Sequence, residues 1–148
     1  AHGPPTGLDP KKLEGIVIDD TAAEKSPGWT AGTGLKGYVG WNYLYAAAGS
    51  DASVRFAAKV PAAGKYEVRF AYQPHENRAK QAPIAVQAGE ATVLKKINMT
   101  ETRPLKDGFV SLGQFYLKKD DAVAVIVSTD GAGGYVHADA VQILRVGE

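Results

Sequence analysis

The sequence predicts an all-β domain, built as a β-sandwich or jelly roll. Short apolar runs recur along the chain and are separated by turn residues, among them many of the 17 Gly and 8 Pro. Within several runs apolar and polar side chains alternate, which is typical of strands with one buried face. We expect about nine such strands, and no window has the period of an amphipathic helix. Strands at this spacing favour a sandwich or jelly roll.

The chain opens with a segment that has no periodicity. Residues 1–14 contain three Pro and two Gly, so we predict a flexible linker or arm, followed by a single sandwich domain over residues 15–148. The sequence starts at Ala1 rather than at Met and shows no signal peptide, so we expect a trimmed or excised piece of something larger. We expect this domain to be a monomer.

The first half of the domain contains the two clearest strands, because their alternation is the most regular. The elements expected there are a short buried strand at Gly15–Ile18, a long surface excursion at Thr21–Gly37, an aromatic-rich segment at Tyr38–Ala48, and strands at Val54–Val60 and Lys65–Tyr72.

The strands at Val54–Val60 and Lys65–Tyr72 are predicted to be antiparallel, with Phe56, Val68 and Phe70 in a shared core. The four-residue turn between them makes either a hairpin or a crossing between sheets.

The second half continues the pattern of short strands and turns. The elements expected there are a second hairpin at Pro83–Ala88 and Thr92–Met99, a polar loop at Thr100–Gly108, a strand at Val110–Lys118 with a bulge at Gly113, a buried strand at Ala122–Ser128, a Gly-rich turn at Thr129–Gly134 and a last strand at Tyr135–Val146.

Composition and charge exclude several classes of protein. The chain has 148 residues, which is enough to bury a core in one domain. Its 17 Lys and Arg and 16 Asp and Glu leave a formal net charge of +1, with the basic residues scattered. We therefore expect neither nucleic acid nor a membrane as partner. There is no Cys, which excludes disulfides and thiolate metal sites, and no apolar run reaches the roughly 18–20 residues of a membrane span.

Motifs for catalysis are missing. No G-x-S-x-G elbow accompanies Ser111, His137 and Asp139, and the segment at His75 and Glu76 lacks the second His of a zinc-protease helix. No phosphate loop or dinucleotide fingerprint is present. Paired carboxylates for glycoside hydrolysis stay open, because their spacing is spatial. We predict that this domain alone is not an enzyme.

Four motifs, taken in order along the chain, carry a resemblance to a known family. They are Gly37–Gly40 with Tyr43–Tyr45, Val60–Val68, Asn77–Pro83 and Gly134–Val141. Together they resemble the golvesin and xanthan-lyase type C-terminal domain, a carbohydrate-binding-like domain. Similar domains occur on bacterial FAD-dependent oxidoreductase-like and polysaccharide-degrading proteins. The resemblance covers roughly Gly15–Arg145 and implies a galactose-binding-like β-sandwich.

The last strand is also similar to that of sugar-binding β-sandwiches, which carries an Asp followed by apolar residues. This similarity would set the last strand beside the first and bring Asp19 and Asp20 near Asp139. Oxygen ligands gathered in this way could hold a structural calcium ion. The alternative is that these carboxylates cap strand ends, and no Glu-x-Glu pair is present on either neighbouring strand. No other cofactor or metal is expected.

Candidate ligand-binding residues combine aromatic rings with polar side chains. Sugar rings stack on aromatic faces, while amide, imidazole and cationic groups bind hydroxyls or a uronate carboxylate. Structural alternatives stay open for Trp41 and for Asn77 and Arg78, which could fix their own loop. Trp29 is expected to be a lid over the core. The candidates are Trp41, Tyr43, His75, Asn77, Arg78, Lys80, Tyr135 and His137.

These observations predict a non-catalytic carbohydrate-binding module in the extracellular space or the periplasm. Its ligand would be a bacterial or algal polysaccharide, with an acidic one among the alternatives, and it would hold an attached catalytic domain nearby. For an acidic ligand, His75, Arg78 and Lys80 would supply the charge and Trp41 the stacking face. The alternative is a structural accessory domain that packs against an oxidoreductase or lyase domain and binds no small ligand.

Overall fold

Twelve strands and three short 3-10 turns make up residues 3–148, the part of the chain that the computed structural model describes. This all-β content confirms the predicted fold class. The 3-10 turns are Pro10–Lys12, Asp20–Ala22 and Lys106–Gly108. The strands are β1 (Ile16–Asp19), β2 (Glu24–Lys25), β3 (Thr30–Gly32), β4 (Tyr43–Ala46), β5 (Ser53–Lys59), β6 (Gly64–Ala71), β7 (Ala82–Ala88), β8 (Ala91–Ile97), β9 (Phe109–Leu117), β10 (Ala122–Ser128), β11 (Val136–Ala138) and β12 (Ala140–Gly147).

Two antiparallel sheets face each other across the core. One has the strand order β1-β12-β6-β9 and the other β2-β5-β10-β7-β8, while a small third sheet, β11-β4-β3, extends one end of the sandwich. None of the helical segments within residues 3–148 has the length and apolar character needed to cross a membrane. The arrangement is the predicted β-sandwich of the jelly-roll type.

The core forms where β5 and β6 meet from opposite sheets. Phe56 of β5 and Phe70 of β6 are fully buried, and their rings meet edge to face with centroids 6.4 Å apart. Val68 belongs to the same cluster, so the predicted shared core is confirmed. The turn between β5 and β6 was predicted to make either a hairpin or a crossing between sheets. The crossing is what the structure has, because β5 pairs with β2 and β10 whereas β6 pairs with β12 and β9.

Two turn predictions are confirmed. The strands β7 and β8 form a hairpin through Gly89 and Glu90. In β9 the pairing register with β6 shifts between Ser111 and Gly113, which leaves Leu112 as the extra residue. Gly113 has a φ of 125°, a conformation that glycine tolerates, and Leu112 is fully buried. The bulge therefore adds a core side chain to β9, which is an edge strand of its sheet.

The last predicted strand is wrong in one respect, because it is two strands in two sheets. The chain leaves the small sheet after β11 and enters the four-stranded sheet as β12. At the crossing, the backbone N–H of Asp139 donates to Ala71 O at 3.1 Å, and its carbonyl accepts from Asp20 N at 2.9 Å. These bonds replace the continuous ladder that a single strand would have.

The predicted arm packs along the rest of the fold from Gly3 onward. Ala1 and His2 lie outside the described residues. Leu8 N donates to Tyr38 O at 2.9 Å, and Gly40 N donates to Leu8 O at 2.7 Å. Leu8 and Leu13 also pack against a small buried cluster beside β12. The boundary between arm and domain stays a prediction.

Candidate functional site

An open cleft lies where the small sheet meets the loop between β6 and β7. Its volume is about 430 Å³, and an adjoining depression of about 310 Å³ shares several of its residues. Five of the predicted ligand-binding residues line these two spaces. They are Tyr43, His75, Asn77, Arg78 and Tyr135, accompanied by Gly32, Gly34, Leu35 and Tyr45.

Three tyrosine rings form the wall of the cleft. Tyr43 and Tyr45 lie two residues apart on β4, so they share one face of that strand. Their ring centroids are 6.3 Å apart, and the ring of Tyr135 meets Tyr45 edge to face at 6.3 Å. The backbone of Gly32 runs so close that an added Cβ would lie 2.8 Å from the ring of Tyr43. Glycine at this position lets the neighbouring strand β3 pass under the rings.

The loop of His75, Asn77 and Arg78 is held against Tyr135. Tyr135 N donates to Asn77 O at 3.1 Å, and Ala79 N donates to Tyr135 O at 2.7 Å. His75 Nδ1 and Asn77 Oδ1 lie 3.0 Å apart, and Arg78 N donates to His75 O at 3.1 Å. These bonds fix the polar side chains in place at one end of the sandwich.

Arg78 is the one cation that lines the cleft with its side chain buried, at 8% exposure. Its Nη1 donates to Asn77 Oδ1 at 2.8 Å, and its guanidinium carbon lies 6.0 Å from the centroid of the Tyr45 ring. Its Nε has no hydrogen-bond partner. Burial lowers the pKa of Arg78, while the three tyrosines act in the opposite direction. The bond to Asn77 lies within the loop, as the structural alternative for these two residues expects.

Three predicted residues lie elsewhere. Trp41 is partly buried beside the arm, where its Nε1 donates to Gly3 O at 2.7 Å. Lys80 is exposed and does not belong to the lining of the cleft. His137 is fully buried behind Tyr43, with the two rings 4.2 Å apart, and its Nδ1 accepts from Gln73 N at 2.7 Å. Burial lowers the pKa of His137 to about 2, so it is a neutral core residue.

Tyr45 is the lining residue that the sequence analysis did not select. Its spacing of two residues from Tyr43 places both side chains on one face of the strand. The signal was present, but nothing in the sequence says that this face of β4 borders open space.

A second polar group lies beside the cleft, at the point where β1 meets β12. Because Asp19 pairs with Ala140, the side chains of Asp19, Asp20 and Asp139 come together, and one carboxylate oxygen from each lies within 4.8 Å of the others. All three residues are buried. The expected juxtaposition is therefore present in the fold, and we call this group the carboxylate cluster.

Each carboxylate in the cluster uses one oxygen for hydrogen bonds. Asp139 Oδ2 accepts from Val39 N at 2.8 Å and from Gln73 Nε2 at 2.9 Å. Asp20 Oδ2 accepts from Asn42 Nδ2 at 2.5 Å, and Asp19 Oδ2 accepts from the hydroxyl of Thr21 at 2.7 Å. The Oδ1 atoms of all three have no hydrogen-bond partner. A capping role accounts for the Oδ2 atoms, which accept these hydrogen bonds, but it does not account for the Oδ1 atoms.

The electrostatics of the carboxylate cluster follow from burial and from the crowding of like charges. Burial raises the pKa of Asp20 to about 9, and the charges of Asp19 and Asp139 act in the same direction. Burial also raises the pKa of Asp139 well above its ordinary value, although hydrogen bonds from Gln73 and Val39 oppose it. Asp20 is therefore the member of the cluster that keeps its proton at neutral pH.

Comparison with known proteins agrees with the resemblance seen in the sequence. Xanthan lyase of Bacillus sp. (strain GL1) is 30% identical over 144 residues, which cover 92% of this chain and 15% of the lyase. The structure of a Paenibacillus xanthan lyase matches with a TM-score of 0.78 and 26% identity, over 88% of this chain and 13% of that chain. The chain thus spans about 15% of the length of the curated relative.

A carbohydrate-binding module has a similar fold over its whole length. The family 35 carbohydrate-binding module from Clostridium thermocellum matches with a TM-score of 0.60 and 14% identity, over 88% of this chain and 98% of that chain. At this identity the likeness concerns the fold alone. The family model described as the golvesin C-terminal domain matches residues 16–145. The chain therefore belongs to the golvesin C-terminal domain family.

Proposed function

We propose that this domain is a non-catalytic module that binds polysaccharide in the tyrosine-lined cleft. The observation that carries the proposal is the wall of Tyr43, Tyr45 and Tyr135 beside the polar loop. The C–H faces of sugars stack on such rings, and Asn77 and His75 supply hydrogen-bond donors and acceptors for hydroxyls. The cleft is open, which suits a polymer that must pass through it.

The absence of acidic side chains from the lining supports a binding role. Hydrolysis of a glycosidic bond uses a pair of carboxyl groups on either side of that bond. The residues that line the cleft and its adjoining depression include no Asp or Glu. The similar proteins named above are longer enzymes or carbohydrate-binding modules, so an attached catalytic domain is the partner we propose. Because such polymers lie outside the cell, we propose an extracellular or periplasmic location.

Removing a ring from the cleft is expected to weaken glycan binding. Tyr135→Ala and Tyr45→Ala should each lower affinity by about tenfold, which corresponds to about 1.4 kcal/mol and fits the loss of one stacking ring. The wild type is first screened on a glycan array and by pull-down with insoluble polysaccharides, and affinities are then measured by calorimetry.

Two control variants locate the site. Tyr116→Ala removes a tyrosine that is 76% exposed on β9, outside the cleft, and should leave binding unchanged. Trp41→Ala tests the other aromatic candidate. If Trp41→Ala abolishes binding while Tyr135→Ala does not, the site lies on the side of the arm, and the proposed cleft is wrong.

The alternative function is a packing domain, and one surface favours it. A groove of about 440 Å³ runs over the outer face of β7, β8 and β10, and Leu94 there is 80% exposed. Pro83 and Ile126 continue its apolar lining. Exposed apolar surface of this kind is typical of contacts with another domain. This alternative predicts that the wild type is retained by no polysaccharide in the screen.

We also propose that the carboxylate cluster binds calcium. Its three Oδ1 atoms have no hydrogen-bond partner, and one oxygen from each carboxylate lies within 4.8 Å of the others. Hard carboxylate oxygens are the ligands that calcium prefers. The cluster would supply three of the six to eight oxygens that calcium takes. The role would be structural, because the cluster ties β1 to the crossing at Asp139.

Calcium is expected to raise the melting temperature of EDTA-treated protein at pH 8. Calcium at about 5 mM is roughly 5–50 times the Kd of typical extracellular sites, so it should add about 1–2.3 kcal/mol to the free energy of unfolding, a rise of roughly 2–9 °C for a domain of this size. Differential scanning calorimetry with and without this calcium measures the shift. An unchanged melting curve would leave the strand-capping role alone.

A further inference from the structure

The guanidinium of Arg78 has no negative partner in the described part of the chain. Its side chain is 8% exposed, its Nη1 bonds to the neutral amide of Asn77, and its Nε has no partner. The ion pairs found among residues 3–148 join other residues, namely Arg55 with Glu24 and Arg69 with Glu67. A buried charge without a counter-charge is unfavourable, because the charge loses its hydration, so such a group is normally paired.

The surroundings of Arg78 compensate for only part of this cost. The centroid of the Tyr45 ring lies 6.0 Å from the guanidinium carbon, a weakly favourable cation–π contact. Glu76, two residues earlier in the same loop, is exposed and forms no ion pair with Arg78. The side of the guanidinium that faces the cleft therefore presents positive charge to an incoming ligand.

Arginine and the tyrosine wall together favour one kind of anion. The planar fork of a guanidinium binds a planar carboxylate through two parallel hydrogen bonds, and these charge-assisted bonds are stronger than bonds to neutral oxygens. A tyrosine face beside that fork suits a ring that carries the carboxylate. A sugar acid has both parts in one residue.

We infer that the cleft recognises a uronic acid residue of the polysaccharide, whose carboxylate binds the guanidinium of Arg78 while the sugar ring lies against Tyr45 or Tyr135. This inference rests on the proposed function and names the substrate class of the same site. A neutral sugar would leave the buried charge of Arg78 without its counter-charge, so the cleft discriminates by charge.

Paired ligands that differ only in the carboxylate test the inference. The probes are a galacturonic acid trisaccharide and a glucuronic acid-bearing xylo-oligosaccharide, each as the free acid and as its methyl ester. We expect at least one free acid to bind about 10–100-fold more tightly than its ester, since a hydrogen bond to a charged group contributes about 1.5–3 kcal/mol. Raising the salt concentration should weaken binding of the acid more than binding of the ester.

Variants assign the effect to Arg78. Arg78→Gln should remove most of the difference between acid and ester, and Arg78→Lys, which keeps the charge but loses the fork, should retain part of it. Lys80→Gln is the matched control, because Lys80 is an exposed cation of the same loop outside the lining. It should retain the full difference. If Arg78→Gln does not fold by circular dichroism, Arg78→Lys and the comparison of acid with ester on the wild type still decide.

The outcomes separate this inference from the proposed function. Equal binding of acid and ester, or binding of neutral or sulfated oligosaccharides alone, would overturn the uronic acid and leave a carbohydrate-binding module. Retention of no glycan of any kind would overturn the proposed function itself. A difference between acid and ester that Lys80→Gln removes and Arg78→Gln does not would overturn the assignment to Arg78.

Discussion

Replacing Phe70 by Ala is expected to lower the free energy of unfolding by about 3–5 kcal/mol, the range for truncation of a buried Phe. Phe70 is fully buried at the centre of the four-stranded sheet, and its ring contacts Phe56 from the facing sheet and Tyr72 from its own strand's end. Removing the ring leaves a cavity between the two sheets, and the cavity can close only if one sheet moves toward the other. Urea denaturation followed by circular dichroism measures the loss.

The control for Phe70→Ala is Leu94→Ala, on the edge strand β8. Leu94 is 80% exposed, so its truncation should change the free energy of unfolding by no more than about 0.5 kcal/mol. A loss below about 1 kcal/mol for Phe70→Ala, or equal losses for the two variants, would contradict the packing of the core described here.

The metal-free domain is expected to lose stability as pH rises from about 6.5 to 9, and Asp20→Asn should make that loss smaller. The pKa of Asp20 is raised to about 9 in the folded state from an ordinary value of 3.8. Between these values the folded state holds a proton that the unfolded state lacks, so raising the pH favours unfolding. One proton corresponds to about 1.4 kcal/mol per pH unit, or roughly 3–5 °C in Tm.

The choice of this pH window isolates the carboxylate cluster. His137 has the opposite effect on stability, because its lowered pKa keeps the imidazole neutral in the folded state. As pH falls through 6.5 the unfolded state takes up a proton that the folded state does not, so the free energy of unfolding falls. Above 6.5 that effect is absent, while Asp139, whose pKa is also raised, adds to the effect of Asp20. Asparagine at position 20 has the shape of the protonated acid and carries no charge.

Melting curves in EDTA at pH 6.5, 7.5 and 8.5 measure the slope, and these values span the window given by the shifted pKa. Asp20→Asn should melt higher than the wild type at the top of this range. Asp51→Asn, a change at an exposed Asp outside the cluster, is the control and should follow the wild type. Parallel curves for Asp20→Asn and the wild type would show that Asp20 does not hold the proton.

The parts of the fold that follow a local pattern could be predicted from the sequence. The alternation in β5 and β6 was enough to name Phe56 and Phe70 as partners in the core. Trp29, expected to be a lid, packs on the core with its Nε1 bonded to Ser53 O at 2.9 Å. The break at Asp139 could not be predicted, because it is a change of non-local pairing partner, from β4 before Asp139 to β6 after it.

The cleft was predictable as a set of residues, although its arrangement was not. Tyr43, Arg78 and Tyr135 were candidates from their chemistry, while the absence of a partner for Arg78 depends on which carboxylates come near in space. His137 shows what the sequence alone could not predict. A polar residue on a strand gives the same sequence pattern whether its side chain faces solvent or a buried backbone amide. Whether the named candidates bind a ligand stays a prediction.

The bulge at Gly113 also affects how this domain behaves among copies of itself. A regular edge strand offers an unbroken row of N–H and C=O groups on which a strand of another molecule can grow, and this is a common route to aggregation. The register of β9 shifts at Leu112, so the row of groups on that edge is interrupted. A bulge also increases the local twist of its strand. The β9 edge therefore makes a poor template for the addition of a strand from another copy of the domain.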